Sequence, residues 1–314
     1  MIVAPVAIPV ISITSKWIQN GITVAGGNKP GDSLNQLHDP YSVWIDDEQG
    51  VYVADHSNHR IVCWRKDATM GQVVAGGRGQ GTRNDQLNNP TNVILDKNTD
   101  SLIICDNGNK RVVRWPRRND AIGETIISNI NCWGAAMDND GYLYISDCKE
   151  CEVKRYRIGD DDDTLVAGGN HHGNRPDQLG KPYHIFVDQD QSVYVSEYGN
   201  HRVSKWTKDA REGVVVAGGH GQGNTLEQLS NPGGIMIDSL GSVYVADNQN
   251  HRVVRWLKGA TEGTIMNGRN GYGEQANQLT NPWGLAFDEQ HSVYVVDIRN
   301  HRIQQFEIEP DPSS

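Results

Sequence analysis

The sequence is poor in phenylalanine, in net positive charge and in long apolar stretches. Only 3 of its 314 residues are phenylalanine, whereas 34 are glycine, and this balance favours short strands joined by tight turns. No apolar run reaches the roughly 20 residues that a membrane-spanning helix needs. Lysine and arginine number 29 against 39 acidic residues, which gives a formal net charge of −10. Because nucleic-acid affinity depends largely on cations that neutralise phosphates, nucleic acid is an unfavoured partner.

Cysteine is also scarce. Five cysteines form neither a disulfide scaffold nor a zinc module, and their odd number leaves at least one thiol free unless a partner chain supplies its mate. Residues 1–10 are apolar but short, contain two prolines and lack a basic segment, so they are a weak signal-peptide candidate. We interpret residues 1–20 as a lead-in or an extra strand, and the localisation stays unknown.

One stretch recurs along the chain. Residues 243–256 (VYVADNQNHRVVRW) return in recognisable form six times, with copies that begin at Val51, Leu102, Leu143, Val193, Val243 and Val293. The steps between the copies are 51, 41, 50, 50 and 50 residues. A period of about 50 residues without helical periodicity predicts a repeat architecture.

Each repeat holds four short apolar segments separated by Gly, Asn, Asp and Pro, which predicts four antiparallel strands per repeat. Six such repeats predict an all-β, six-bladed β-propeller over residues 21–308, followed by a tail over 309–314. The last repeat lacks a fourth strand, whereas residues 22–26 have the sequence of one. We therefore expect this N-terminal strand to complete the last blade and close the ring. Residues 11–17 resemble a third strand and are expected to form an extra edge strand or a loose tail.

The pattern Asp-x-x-Asn-His-Arg resembles the NHL repeat. It stands at residues 55–60, 247–252 and 297–302, with close variants at 106–111 and 197–202, and it is lost at 147–152. The resemblance implies a six-bladed NHL propeller. NHL propellers generally serve as protein-, peptide- or RNA-binding platforms, and related rings include the peptide-amidating lyase and other hydrolases and lyases.

The acidic residue and the arginine of the motif recur too regularly for a catalytic site. We interpret them as structural: the carboxylate would accept N–H groups of the turn after strand two, and the arginine would fix the next strand. These structural residues are Asp55, Arg60, Asp106, Arg111, Glu197, Arg202, Asp247, Arg252, Asp297 and Arg302.

Function is expected where the repeats differ, at the face that carries the strand 4–1 and strand 2–3 loops. Large aromatic residues begin several first strands, and together they would surround the mouth of the axial channel. The predicted ligand-binding residues of this mouth are Tyr41, Trp133, Tyr183, His184, Trp283 and Tyr198. The alternative, which the sequence leaves open, is that the rings plug the channel as packing.

Metal and cysteine chemistry receive little support. His38, His56 and His184 are weak metal candidates because no spacing compels a zinc site, so no cofactor is predicted, with an axial cation held by strand-one carbonyls as an alternative. Cys148 and Cys151 are expected to be local thiols or a short disulfide rather than a redox pair, and Cys63 and Cys105 to be core residues. The acidic run at residues 160–163 is expected to be a solvated turn.

The sequence therefore predicts a non-catalytic binding scaffold that presents its loop face and channel mouth to a protein, peptide or small ligand. The first alternative is a metal-dependent lyase or hydrolase that resembles the peptide-amidating-lyase propellers. The second is an RNA-binding NHL domain, which the negative charge disfavours. We expect a monomeric propeller without a membrane span, either alone or as a domain of a larger protein.

Overall fold

The protein is a ring of six four-stranded antiparallel sheets. The computed structural model describes residues 10–118, 121–160 and 162–309. Each blade runs from an inner first strand at the axis to an outer fourth strand. The strands of blades 1 to 3 are β2 Pro40–Ile45, β3 Val51–Asp55, β4 Arg60–Trp64 and β5 Gln72–Gly76; β6 Pro90–Asp96, β7 Ser101–Asp106, β8 Arg111–Pro116 and β9 Glu124–Ser128; and β10 Cys132–Met137, β11 Tyr142–Asp147, β12 Glu152–Arg157 and β13 Asp163–Gly168.

The remaining blades repeat the plan. Their strands are β14 Pro182–Val187, β15 Val193–Glu197, β16 Arg202–Trp206 and β17 Val214–Gly218; β18 Pro232–Ile237, β19 Val243–Asp247, β20 Arg252–Trp256 and β21 Thr264–Asn267; and β22 Pro282–Phe287, β23 Val293–Asp297, β24 Arg302–Phe306 and β1 Ile22–Gly26. Single 3-10 turns, His56–Asn58, Asn107–Asn109, Asn248–Asn250 and Ile298–Asn300, follow four of the second strands. The all-β, six-bladed prediction is confirmed.

The N-terminal strand closes the ring. Strand β1 pairs antiparallel with β24, with Ile22 opposite Gln305 and Gly26 opposite Arg302. Its Ala25 is 3% exposed and belongs to a core cluster that spans blades 6 and 1. The first and last strands of the propeller are thus joined in one sheet, as the missing fourth strand of the last repeat predicted.

The core lies between the blades rather than inside any one of them. Strand β19 is buried along its whole length, because its side chains alternate between the two neighbouring blades. The aromatic residues that end the third strands, such as Trp64, Trp206 and Trp256, are almost fully buried in the same spaces. Both faces of each sheet therefore need apolar residues, which explains why the strands do not alternate between apolar and polar.

The segment before β1 packs on the ring. Trp17 lies edge-on to Tyr244 at 5.6 Å and stacks near Phe287 at 6.3 Å between ring centroids. Its backbone forms an isolated bridge with Ile308, and Arg255 donates to the carbonyls of Ser12 and Ile13. This segment is thus an ordered cover over blades 5 and 6, neither a strand of a blade nor a loose tail. The predicted leading residues 1–9 and tail residues 310–314 lie outside the described residues.

Cys105 of blade 2 and Cys132 of blade 3 form a disulfide, with their Cα atoms 5.3 Å apart. Cys105 is buried, as expected of a core residue, but its bond to Cys132 was not predicted from the sequence. Cys63, Cys148 and Cys151 are free thiols in the described part of the chain, so the short disulfide considered for Cys148 and Cys151 does not form. The difference arises because the sheet places Cys132 beside a neighbouring blade, which sequence spacing does not show.

Among the residues described, no helix is both long enough and apolar enough to cross a membrane.

Candidate binding site on the strand 2–3 face

The repeat motif fastens each blade to the chain segment that enters it. Asp247 is fully buried, and its Oδ1 accepts the backbone N–H of Ser230 at 2.7 Å. Its Oδ2 accepts Nδ2 of Asn250 at 2.8 Å and Nε of Arg252 at 2.7 Å. Burial raises the pKa of the Asp247 carboxyl, and the donors from Asn250, Ser230 and Arg252 oppose that rise. The backbone N–H that the carboxylate accepts thus comes from the incoming link, not from the turn after strand two that the sequence interpretation named.

The arginine completes this clamp. Arg252 donates through its two terminal nitrogens to the carbonyls of Asn224, Thr225 and Gln228 in the same link. Corresponding buried ion pairs join Asp55 to Arg60, Asp106 to Arg111, Glu197 to Arg202 and Asp297 to Arg302. Five blades therefore hold their entry segment by one acidic residue and one arginine.

The motif histidine has a separate task that sequence reasoning missed. His251 adopts a left-handed conformation with φ 55°, and its Nδ1 accepts the backbone N–H of Asn281 at the entry of the next blade. His59, His201 and His301 accept the N–H groups of Asn89, Asn231 and Asp39 in the same way. Burial lowers the pKa of these four histidines. The neutral ring thus links neighbouring blades on this face.

Blade 3 uses a different turn. Asp147 accepts the N–H groups of Lys149 and Glu150 through Oδ1 and that of Asn131 through Oδ2. Glu152 stands where the other blades have arginine, and the long link is missing. A groove of about 350 Å³ lies between blades 2 and 3 at this point, lined by Glu150 and Glu152 among others. The loss of the motif in the sequence thus marks a real break in the symmetry of the ring. The acidic run expected at residues 160–163 includes residue 161, which lies outside the described residues.

The predicted mouth residues converge on the axis. Five of them, here called the ring cluster, contact one another: Tyr41, Trp133, Tyr183, Tyr198 and Trp283. Trp133 and Tyr183 are stacked, with centroids 4.2 Å apart and planes at 18°. Trp133 of blade 3 also lies 6.1 Å from Trp283 of blade 6, on the opposite side of the ring. The rings therefore fill the centre of this face.

The ring cluster is packed below and open above. Trp283 is only 7% exposed and belongs to a core cluster, while the other four rings remain half-buried. Burial raises the pKa of Tyr183 to about 12, and it raises the pKa of Tyr41, with Asp39 adding to the rise. The hydroxyls hence stay protonated and can donate hydrogen bonds at neutral pH. The surface is an aromatic platform rather than the open mouth of a channel.

Polar groups surround this platform. His56 lies 4.5 Å from Tyr41 between ring centroids, and burial lowers its pKa to about 4. Arg299 approaches Asp39 at 3.7 Å with its side chain 64% exposed. Cys148 lies at the tip of the blade 3 turn, and burial raises the pKa of its thiol to about 12, so that it is protonated. The rim thus offers a neutral histidine, a thiol and an exposed cation next to the rings.

His184, the sixth predicted mouth residue, does not join the platform. Its ring is partly buried and lines the axial cavity beneath the ring cluster. Its Nε2 lies 3.3 Å from Nδ2 of Asn92, and burial lowers its pKa to about 4. Successive residues of a strand point to opposite sides, so Tyr183 and His184 face different environments.

The weak metal candidates are not assembled. In the part of the chain that the structure describes, no three His, Cys, Asp or Glu side chains come together as a possible metal site. His38 and His56 lie on the platform side, where His38 packs 5.7 Å from His301 between ring centroids, whereas His184 lines the cavity.

The opposite face contains a second hydrogen-bond arrangement that recurs between blades. An aspartate ends or directly follows each first strand, and Asp238 is typical: Oδ1 accepts the N–H groups of Leu240 and Ser242, and Oδ2 accepts the hydroxyl hydrogen of Tyr244. Asp288 holds Tyr294 in the same way, as Asp138 holds Tyr144. These aspartates are thus occupied in closing the strand 1–2 turns.

The comparison with known families identifies two of the repeats. The NHL repeat model matches residues 229–256 and 279–306, which contain the clamp of blades 5 and 6. The NHL resemblance of the motif is thereby confirmed. Among proteins of curated function, none matches this chain.

Solved structures share the fold at low sequence identity. An auxiliary nutrient binding protein from Bacteroides thetaiotaomicron is 17% identical with a TM-score of 0.70, over 94% of this chain and 77% of that one. A gluconolactonase from Xanthomonas campestris is 12% identical with a TM-score of 0.63, over 98% of both chains. A virginiamycin B lyase from Staphylococcus aureus is 12% identical with a TM-score of 0.55, over 88% of this chain and 97% of that one. These likenesses show the fold alone, because propellers of one architecture serve different functions.

Proposed function

We propose that this NHL-repeat propeller is a binding scaffold that presents the ring cluster to a protein or peptide. The observation that carries the proposal is the gathering of five aromatic rings from four blades into one partly exposed surface at the centre of the strand 2–3 face. Aromatic side chains supply large contact area at low entropic cost and are enriched at the centres of protein interfaces.

The shape of the surface favours a macromolecular partner over a small molecule. Small ligands usually occupy concave sites that bury most of their surface, but here the rings meet across the axis, with Trp133 6.1 Å from Trp283. A side chain or peptide laid across the platform could stack on the exposed rings. The tyrosine hydroxyls and the exposed Arg299 at the rim would add polar contacts that set orientation.

The repeat separates residues that hold the scaffold from residues that differ between blades. The acidic and arginine side chains of five blades are engaged in mutual pairs and link carbonyls, so they hold the scaffold. The tips of the strand 2–3 turns differ between blades: His56, Tyr198 and Ile298 are at equivalent places, and Arg299 follows at the next position. A constant frame with variable tips is what a specific interaction surface requires.

The test is a selection of peptides from a random displayed library against the whole chain, followed by affinity measurement on variants. Trp133→Ala and Tyr198→Ala remove rings that are partly exposed, and each is expected to weaken the selected peptide by roughly tenfold or more, as loss of a central aromatic contact does. Trp283→Ala is less suitable, because Trp283 is 7% exposed and supports the core.

Tyr272→Ala is the matched control. Tyr272 is a 70% exposed tyrosine in the link between blades 5 and 6, outside the ring cluster, and its removal should change the affinity less than twofold. Melting temperatures confirm that each variant is folded. The proposal fails if the selected peptides bind the Trp133→Ala and Tyr198→Ala variants as tightly as the unchanged chain.

A further inference from the structure

A cavity of about 240 Å³ lies along the axis on the other side of the ring cluster. The first strands of the blades line it, together with residues of the strand 1–2 turns such as Asn98, Asn139 and Gln189. None of the five ring-cluster residues lines it. The cavity therefore extends from beneath the aromatic platform towards the opposite face, and it is a different space from the site proposed above.

The walls of this cavity are mainly apolar and partly accessible. Met137, Phe186, Val187, Met236 and Phe287 belong to the innermost strands, yet all are only partly buried because they face the cavity. Apolar side chains in the middle of a protein normally pack against one another. An apolar-walled space of this size could hold a molecule with one aromatic ring, since a cavity of about 150 Å³ is enough for benzene.

The end beneath the rings is polar and incompletely paired. Asn92 and His184 are the third residues of β6 and β14, directly after the level of Tyr183. They meet at 3.3 Å between Nδ2 and Nε2. Among the described residues, Asn92 Oδ1 and His184 Nδ1 find no hydrogen-bond partner although they are buried. A buried polar atom without a partner is costly, so this end is suited to a group that both donates and accepts hydrogen bonds.

Charge restricts what could enter. Carboxylates outnumber cations in the lining, which contains one lysine, Lys97, against Asp46, Asp47, Asp138, Asp188, Asp288 and Glu289. Lys97 pairs with Asp47 at 2.7 Å, and Lys205, outside the lining, pairs with Asp188 at 3.0 Å. The histidine at the closed end is neutral at physiological pH, because burial lowers its pKa to about 4. An anion would therefore meet acidic groups at the entrance and no cation at the far end, so the cavity disfavours anionic ligands.

We propose that the axial cavity is a binding site for a small, uncharged aromatic molecule that carries a carboxamide-like head. The ring would lie against Met137, Phe186 and Met236, and the head would meet Asn92 and His184. A rotation of the Asn92 or His184 side chain would turn its unpaired atom towards the head. The ligand would enter from the strand 1–2 face, opposite the aromatic platform.

The test compares benzamide with benzoate, which have nearly the same shape but differ in charge and in donors. Ligand-observed NMR with the whole chain should give an affinity for benzamide at least tenfold higher than for benzoate. Toluene, which keeps the ring and lacks the head, should also bind at least fivefold more weakly than benzamide. Equal binding of benzamide and benzoate, or no binding of benzamide up to its solubility, would overturn the proposal.

Two variants locate the binding. Met236→Trp places a larger side chain in the cavity and should reduce benzamide affinity at least tenfold. Asn92→Leu keeps a similar volume and should remove the preference for benzamide over toluene. Tyr272→Ala, on an exposed link, is the control and should bind benzamide as the unchanged chain does. If both cavity variants retain full benzamide affinity, the ligand lies elsewhere and the proposal is wrong.

Benzamide binding in the cavity should be independent of peptide binding at the platform. A selected platform peptide at saturation should not displace benzamide, and benzamide should not displace the peptide. If a cavity variant fails to fold, the difference in affinity between benzamide and benzoate for the unchanged chain still tests the proposal. Failure of the peptide selection would leave the benzamide measurement intact, and the reverse also holds.

Discussion

The clamp formed by Asp247 and Arg252 should contribute more stability than the corresponding aspartate of blade 3. In Asp247→Ala, three donors lose their acceptor: the N–H of Ser230, Nδ2 of Asn250 and Nε of Arg252. Asp247 is 0% and Arg252 is 6% exposed. Removing one member of a buried, hydrogen-bonded ion pair costs about 3–5 kcal/mol, because the remaining charge stays buried.

Asp147→Ala provides a matched comparison within the same chain. Asp147 also accepts three N–H groups, from Asn131, Lys149 and Glu150, but Glu152 replaces the arginine, so no buried cation is left behind. The two turn donors belong to exposed residues, where water can replace the carboxylate. The cost should be about 1–3 kcal/mol.

Thermal unfolding of both variants measures the difference. At roughly 2 °C for each kcal/mol in a chain of this size, Asp247→Ala should lower the melting temperature by about 6–10 °C and Asp147→Ala by about 2–6 °C. Urea unfolding with linear extrapolation gives the free energies directly. Equal losses in the two variants, or a larger loss in Asp147→Ala, would refute the argument that the arginine makes the clamp of blade 5 more costly to break.

Three further predictions concern the cavity, the disulfide and the closure. Burial lowers the pKa of His184 to about 4, so as the pH falls from 6.5 towards 4 the unfolded chain binds a proton at this residue that the folded chain does not. His184 should thus contribute about 2 kcal/mol to the loss of stability between pH 7.5 and 5, and urea unfolding of His184→Gln should show a loss smaller by that amount. The same loss in His184→Gln as in the unchanged chain would contradict this prediction. Mass spectrometry after alkylation under non-reducing conditions should find Cys105 and Cys132 unmodified, whereas five alkylated cysteines would exclude the bond. Because the bond closes a loop in the unfolded chain, Cys132→Ser should lower the free energy of unfolding by about 3–4 kcal/mol. Ala25→Asp should lower the free energy of unfolding by about 3 kcal/mol or more, because Ala25 is 3% exposed and the new charge would be buried. Ile22→Asp is the control, since Ile22 is 56% exposed, and it should change stability little. Similar effects of the two substitutions would argue against closure by β1.

The repeat explains why the fold could be predicted from the sequence. Blade architecture depends on local strands and turns, and residues 243–256 show both within one stretch. The closure was also predictable, because residues 22–26 supply the fourth strand that the last repeat lacks. The blade architecture and the closure can both be predicted from the order of segments along the chain.

Contacts between blades were harder to predict. Cys105 and Cys132 are 27 residues apart and become neighbours only because blades 2 and 3 pack side by side. The bond from Asn281 to His251 likewise crosses between blades. The disulfide leaves no spacing pattern, because it occurs once. The histidine bond does leave one, since Asn89, Asn231 and Asn281 each follow their histidine by 30 residues, and this constant separation is the signal that could have revealed it.

The gathering of the aromatic residues, as distinct from their role, was predicted in part. The sequence placed six residues at one mouth, and five of them do meet in the ring cluster. It left open whether the rings surround or fill the channel, because that depends on ring orientation across the axis. The sequence could not separate Tyr183 from His184 either, although one residue along a strand places a side chain in a different environment.

The most direct test of the binding scaffold is oxidative labelling of the exposed aromatic residues with and without a bound platform peptide. Trp133 and Tyr198 should lose more than half of their labelling when the peptide is bound, while the 70% exposed Tyr272 should be labelled equally in both states. Protection of Tyr272 or of the strand 1–2 face, with Trp133 and Tyr198 labelled as before, would contradict the assignment of the aromatic platform as the interaction surface.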